Sequence, residues 1–377
     1  MQTVAVVGGS NGGYAAAADF ADQGFDVQWY VRSPDNHRRV LERETITLAV
    51  SENYIGRRTP GERREVTPHL VTTDLGEAVS GADLVLVPLP TTTQEAVAET
   101  LVPHLEDGQV VVTCPGNCGS VLFRRALDDL DGSAANVVFA ETPTLPYVTR
   151  KSGPAEVTIN LDAVRLPVGA FPGRDTDRAY EATTRLYDAA LPAENALDAA
   201  LNNSNACVNA TPTLLNAGAI ECDEFAFNIH RHGVTESVYE VILAVDDERV
   251  RIREALGYGD PHFTQDEYYE PGPETGEHFY GARSREALVA ADTFSEDPPS
   301  LDDRYVHEDV SIATVLLASL GDALDLQTPT IDSLVHIAET MMDEPYAETG
   351  RTLELLGLDT GSQSQLEAVL ERGFDAR

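Results

Sequence analysis

Six residues near the N-terminus, Gly8, Gly9, Ser10, Asn11, Gly12 and Gly13, follow the apolar run Val4-Ala5-Val6-Val7 and precede the small-residue stretch Tyr14-Ala15-Ala16-Ala17. A strand that breaks into a glycine-rich turn and then a helix is what a dinucleotide pyrophosphate requires. Gly8 permits the tight turn, Ser10 stands where a second glycine usually lets backbone approach the phosphates, and Gly13 lets the helix press on the sheet. The exposed N–H groups and positive end of the helix then face the anion. A second strand ends in Tyr30-Val31-Arg32-Ser33-Pro34, without the acid that grips both ribose hydroxyls of NAD. Arg32 with Ser33, helped by Arg38 or Arg39, suits a 2′-phosphate, so NADP is favoured and NAD stays open; the plain alternative is a solvated loop arginine. Pro115-Gly116-Asn117, after Cys114, ends a later strand. There Gly116 either lets the backbone close on the nicotinamide ribose or makes a simple turn.

A second chemistry-bearing segment runs from Leu201 to Asn216. Asn202, Asn205, Asn209 and Asn216 recur at offsets of three, four and seven, which on a helix forms one polar stripe among Ala, Val and Leu. Pro212 should free the carbonyl of Val208 beside Asn209. Amides on one kinked face fit a substrate wall. Buried amides pairing with neighbouring helices fit the same pattern.

The elements that must position these residues follow an α/β rhythm in the first half. A helix runs to about Gln23, with strands at Gly24 to Tyr30, Leu84 to Pro88 and Val110 to Thr113, and a helix from about Thr93 to Leu105. Strands alternating with helices imply a parallel sheet. Strand-like segments recur at Asn136 to Ala140, Glu156 to Leu161 and Val164 to Val168. From about Asn195 helical patterns dominate, at Thr235 to Leu256, Asp309 to Leu320 and Ile331 to Met342. The boundary falls between about Pro192 and Asn202, giving a dinucleotide-binding domain over 1–195 and a helical substrate domain over 196–377. Gly257 to Ser300 is poorly patterned and reads as a long excursion near the cleft.

The chain has 377 residues, 26 Lys plus Arg against 63 Asp plus Glu, and a formal net charge of -37, with Lys151 its only lysine. The acid is spread along the whole sequence, so it reads as a solvated coat. Near 1 M salt the Debye length is about 3 Å and such repulsion is screened, so a salt-loving cytoplasm is the simplest setting. The coat argues against nucleic acid and anionic membranes as partners. No secretory or lipidation signal and no apolar run of roughly 20 residues are visible, which predicts a soluble cytoplasmic protein. Cys114, Cys118, Cys207 and Cys222 are too few for a disulfide framework and lack zinc spacing, so reduced thiols and no metal site are expected.

Several segments in order complete a pattern: Glu141-Thr142-Pro143-Thr144-Leu145-Pro146-Tyr147, Asn205-x3-Asn209 through Leu214-Leu215-Asn216-Ala217-Gly218, and Gly233-Val234-Thr235-x-Ser237-Val238. Asp246-x-Glu248-Arg249, Arg304-Tyr305-x2-Glu308-Asp309-Val310 and Gly350-Arg351-Thr352-Leu353-Glu354-x-Leu356-Gly357-Leu358 follow. Over nearly its whole length the chain resembles the octopine/nopaline (opine) dehydrogenase family. The resemblance implies an α/β Rossmann domain followed by an all-α domain of the 6-phosphogluconate dehydrogenase C-terminal type, with substrate in the cleft between them. It also implies NAD(P)H-dependent reduction of the imine formed between an amino acid and a 2-oxo acid. Those two small molecules are then its partners, and a homodimer is an assembly open to it.

The family's substrate arginine maps onto Arg304 and its dyad aspartate onto Asp309. A guanidinium grips a carboxylate in bidentate fashion, and a carboxylate orients and charges a neighbouring base. On a regular helix the two positions lie about 140° apart, so Arg304 is expected in a loop entering the helix. The family's general acid/base histidine belongs at the last position of Asn205-x3-Asn209. An amide there hydrogen-bonds a carbonyl but exchanges no proton near neutral pH. His230, His232 and His307 are the histidines placed to face the cleft, or else structural or solvated. Lysine-dependent reductases of the same superfamily are disfavoured, because the helical domain begins without a lysine. A non-catalytic NADP-binding sensor or partner-binding protein, or a different 2-oxo or hydroxy acid reductase on the same fold, is the alternative.

Overall fold

A computed structural model describes residues 2–54, 57–130, 136–222, 227–268, 279–280, 285–290 and 300–376. The chain divides into two compact units, Met1–Ala200 and Leu201–Arg377.

Among the described residues the first unit has twelve strands: β1 (Thr3–Val7), β2 (Asp26–Tyr30), β3 (Ile46–Val50), β4 (Arg63–Val66), β5 (Leu70–Thr72), β6 (Leu84–Val87), β7 (Val110–Thr113), β8 (Val138–Glu141), β9 (Tyr147–Gly153), β10 (Glu156–Asp162), β11 (Leu166–Phe171) and β12 (Ala190–Pro192). Eight of them form one sheet in the order β12-β11-β8-β7-β6-β1-β2-β5. Its central strands β6 and β7, built of Val, Leu and Thr, are buried at every position, because a parallel sheet is covered on both faces. The order runs outward from β1 to β2 and β5, then returns to β6 on the other side. Such a reversal opens a crevice at the carboxyl ends of β1 and β6, where open sheets hold ligands.

Helix α1 (Asn11–Gln23) packs on β1 and β2 of this sheet, and its small residues Ala15, Ala16, Ala17 and Ala18 are buried all round the helix. Its other side is covered by a second sheet of order β4-β3-β10-β9. The segment expected from Glu156 to Leu161 belongs to this second sheet, where β10 runs antiparallel to β9 and parallel to β3. The segment expected from Val164 to Val168 becomes β11, antiparallel to β8. The parallel rhythm of the large sheet is therefore interrupted after β8 and resumes between β11 and β12, which pair in parallel. Sequence reading passed over β3 and β4; three of the four β4 residues are exposed, so its period carries little apolar signal.

The second unit is helical, with its long segments at Glu236–Ala255, Val315–Ala323, Pro329–Met342 and Gln363–Arg372. The Asp246-x-Glu248-Arg249 motif is its internal frame. Arg249 is fully buried, pairs with Asp246 at 2.7 Å, and donates to the carbonyls of Leu201, His262 and Phe263. Glu248 accepts from the backbone N–H groups of Thr330 and Ile331 at 3.0 and 2.9 Å, capping the 329–342 helix. Removing one partner of such a buried pair costs about 3–5 kcal/mol. Of the stretch expected to be an excursion, 257–300, the described residues include the short helices Gln265–Tyr268 and Arg285–Ala290. The rest of that expectation lies mostly outside the described residues. Among the described residues no helix is long and apolar enough to cross a membrane.

Candidate active site

In the first unit the glycine-rich turn is a built structure. Gly8 donates from its N–H to Tyr30 and accepts from the Trp29 indole at 2.8 Å, which fixes the end of β1 to β2. Ser10, at the position of the usual second glycine, caps α1. Its Oγ accepts from the Gly13 N–H at 3.3 Å and donates to the Pro88 carbonyl at 2.7 Å, tying the turn to the end of β6. A Cβ at Gly13 would sit 2.0 Å from the Gly8 carbonyl oxygen, so no other residue lets the helix start this close. The His37 ring bridges the turn to the end of β2, its Nδ1 2.8 Å from the Ser33 carbonyl and its Nε2 3.1 Å from the Gly9 carbonyl. Asn11 accepts from the Lys151 backbone N–H at 2.9 Å, and the Lys151 ammonium lies 4.1 Å from the Tyr14 ring centre. The single lysine therefore sits on β9 beside α1. Arg38 pairs with Asp35, both exposed, while among the described residues Arg32 makes no ion pair and points to solvent.

The second turn, Cys114 to Asn117, follows a cis Cys114–Pro115 peptide and carries Asn117 and Cys118 in the left-handed region, φ 49° and 63°. Its organiser is Glu141, a fully buried acid at the end of β8. The Glu141 carboxylate accepts from the Cys118 N–H at 2.7 Å, the Ser120 N–H at 3.0 Å and the Ser120 hydroxyl at 2.5 Å, at the N-terminus of the helix Gly119–Asp128. Gly116 donates to the Thr142 carbonyl, and the Gln94 amide donates to the Pro115 carbonyl. Burial pushes the Cys114 thiol up to about 12, so it stays neutral. Sequence reading did not assign Glu141 a place in the site; an acid ending an apolar strand beside a glycine turn was the available signal.

In the second unit two π-helical turns, Ala206–Ala210 and Asp309–Thr314, pack against each other. Such turns widen the helix by one residue and expose carbonyls, and they recur at functional sites. Here hydroxyls fill the gap: Thr213 donates to the Asn209 carbonyl at 2.7 Å and Thr314 to the Asp309 carbonyl at 2.8 Å. Across the contact the Asn209 amide Nδ2 donates to Asp309 Oδ2 at 3.0 Å, both residues being buried. Burial, then the neighbouring Glu308 carboxylate, push the Asp309 carboxyl up to about 7, against the pull of Arg304 and the Asn209 hydrogen bond.

The regular stripe expected from Asn202 to Asn216 does not form: Asn202 and Asn203 precede the helix, Asn205 leads into the π-turn Ala206–Ala210 that holds Asn209, and Asn216 ends the following helix Thr211–Leu215. Asn216 is a structural amide that donates to the carbonyls of Pro212 and Gly233 at 2.8 and 3.0 Å. Asn205, half-buried, receives no bond from Asp309; its N–H donates to the Asn203 side chain.

Arg304 opens a one-turn helix, Arg304–His307, capped by Asp303, rather than lying in a loop. A break at Glu308 then restarts the chain at Asp309, since a continuous helix would carry the two to different faces. The Arg304 guanidinium lies 4.6 Å from the Tyr305 ring centre and 3.8 Å from Glu308, and is 46% exposed. The far motif also has its place here. The Arg351 N–H donates to the Ser311 carbonyl at 2.9 Å, and a Cβ on Gly350 would sit 2.3 Å from that oxygen. Of the histidines, His307 lies 2.7 Å from Asp302 and 3.4 Å from the Tyr346 hydroxyl, and the His232 ring accepts from the Asn228 N–H. His230 is buried within the 229–233 turn.

Comparison with known proteins agrees with this geometry. The family described as NAD/NADP octopine/nopaline dehydrogenase, alpha-helical domain, matches residues 192–342. An opine dehydrogenase of Arthrobacter sp. (strain 1C) is 30% identical over 375 residues, 98% of this chain and 99% of that protein. Among solved structures, octopine dehydrogenase with NADH and L-arginine superposes with a TM-score of 0.73 at 20% identity, covering 98% of each chain. Yersinopine dehydrogenase with NADP+ bound gives 0.66 at 15% identity, covering 100% of this chain and 99% of that one. With a Rossmann unit, a helical unit carrying the two π-turns, and a relative this similar end to end, the chain belongs to the octopine/nopaline (opine) dehydrogenase family.

Proposed function

We propose that this chain is an NADPH-preferring member of that family, an oxidoreductase that condenses an amino acid with a 2-oxo acid and reduces the resulting imine to a secondary amine. The observation that carries the reading is the Asn209–Asp309 hydrogen bond on the turn next to Arg304. In this reading Asp309 and Arg304, which acts on it electrostatically, serve one site, with an amide where the family has its base.

The glycine cradle fits a dinucleotide, because a Cβ at Gly13 would occupy the turn itself. In this reading Gly8, Gly9, Ser10, Asn11, Gly12 and Gly13 hold the pyrophosphate through backbone N–H groups. Arg32 and Ser33 take the 2′-phosphate, and Pro115, Gly116 and Asn117 flank the nicotinamide. The bound nicotinamide supplies the hydride. Arg304 holds the oxo-acid carboxylate through its planar pair of donors, and Asn205 and Asn209 orient the carbonyl. We read the chain as cytoplasmic and adapted to high salt, with the acidic coat as support.

The test is NADPH and NADH oxidation at molar salt, with a matrix of amino acids against pyruvate and 2-oxoglutarate, each omitted in turn. Oxidation that needs both partners, is faster with NADPH, and falls at least tenfold in kcat/KM for the oxo acid in Arg304→Ala is expected. NADPH binding without oxidation on any pair would favour a second reading, a non-catalytic NADP-binding protein, to which Asn209 lends support.

A further inference from the structure

We propose that Asp309 itself is the proton donor of the reaction, taking over the task that a histidine performs where Asn209 stands. The inference rests on the reductive condensation proposed above. An amide Nδ2 only donates, so Asn209 holds Asp309 Oδ2 as an acceptor in both ionisation states. The proton is thereby left to Oδ1. Asn209 is the sole side chain bonded to this carboxyl among the described residues. An imidazole at position 209 would instead carry the exchangeable proton itself and leave the carboxylate charged.

The surroundings favour a carboxyl that keeps its proton. Asp309 is buried, with Glu308 beside it, also buried, and Asp303 in the preceding cap. The opposing cation is Arg304, whose guanidinium is shared with Glu308 and the Tyr305 ring. The facing π-turn brings Asn209 and Cys207, the latter a neutral thiol held well above its usual range by burial. From the other elements packed on this turn come the buried Arg351, whose N–H donates to the Ser311 carbonyl, and Tyr346, which meets His307, while on the 329–342 helix His336 is largely exposed and lies 3.9 Å from Glu339. Burial and like charge raise the Asp309 carboxyl to about 7, where an acid exchanges its proton readily under neutral conditions.

In the step, the lone pair of the imine nitrogen takes the Oδ1 proton, across no more than one water molecule. The carboxyl O–H bond breaks, an N–H bond forms, and Asp309 is left as carboxylate. The iminium carbon then accepts the hydride, and the carboxylate regains a proton from water, so one hydride and one proton are consumed per turnover.

The test combines rate and spectroscopy on the full chain at molar salt. Wild-type reductive kcat should fall as pH rises through the neutral range, and Asp309→Asn should lose about 10²–10⁴-fold of it while NADPH fluorescence titration is unchanged. The wild-type minus Asp309→Asn infrared difference spectrum should contain a protonated carboxyl band at acid pH that disappears across the same range. Should Asp309→Asn not fold, Asn209→Ala replaces it: loss of the donor that favours the charged form should move the kinetic limb to higher pH. Turnover within about threefold of wild type in Asp309→Asn, no titrating band, or an unmoved limb in Asn209→Ala each overturn the proposal while leaving the condensation reaction standing. No turnover by wild type on any pair removes the reaction, and the proposal with it.

Discussion

Replacing Glu141 by Gln tests whether a single buried carboxylate builds the turn from Pro115 to Ser120. Among the hydrogen bonds this carboxylate accepts are those from the backbone N–H groups of Cys118 and Ser120 and from the Ser120 hydroxyl. Glutamine retains one acceptor oxygen and turns an NH2 toward the other donors, so at least one backbone N–H loses its partner. An unsatisfied buried donor costs about 1–3 kcal/mol. Loss of negative charge at the N-terminus of the helix Gly119–Asp128 adds about 1 kcal/mol. The sum of about 2–4 kcal/mol corresponds to a melting-temperature drop of roughly 5–15 °C in a unit of this size. Thermal unfolding at molar salt, read by circular dichroism, measures it. Ser120→Ala serves as the graded control, because it keeps both backbone bonds and loses only the hydroxyl, about 1 kcal/mol. A Glu141→Gln protein within about 0.5 kcal/mol of wild type, or a Ser120→Ala protein destabilised more than it, would falsify the account.

Two further outcomes follow from the same structure. Gly13→Ala places a Cβ 2.0 Å from the Gly8 carbonyl oxygen, so it should weaken NADPH binding by at least tenfold in fluorescence titration; an unchanged Kd would mean that the turn does not hold the dinucleotide. The Asp309 carboxyl is raised from 3.8 to about 7 in the folded protein, so its neutral form contributes stability fully present below pH 4, which is lost as pH rises through 7. Asp309→Asn should therefore gain stability relative to wild type between pH 4 and 7, by an amount on the order of a few kcal/mol, and the gain should level off above that range. A stability difference independent of pH counts against the assignment.

What was legible in the sequence is what local rules determine. The glycine turn after β1, the burial of β6 and β7, and the helical character of the second half follow from apolar period, chain entropy and turn chemistry, which act over a few residues. The ordered set of motifs likewise carried the family, since side-chain identity at fixed spacing is a property of the chain alone. Cofactor class came with it. Arg304 and Asp309 could be singled out as candidates, but not the one-turn helix and π-turn that carry them.

Tertiary structure decided the rest, because it depends on which distant groups meet. β4 has too few apolar residues to announce itself, and it forms because β3 offers an edge to pair with; the apolar run of β3 gives no sign that its partner is β10, more than a hundred residues away. The asparagine stripe failed because period counting assumes 3.6 residues per turn, and the π-turn adds one. Asn209 meets Asp309 across a hundred residues, and Glu141 reaches Cys118 from another strand. No local pattern encodes those pairings. The charge state of Asp309 depends on them most of all: burial and Glu308 act against Arg304 and a single amide hydrogen bond, and only packing fixes that balance.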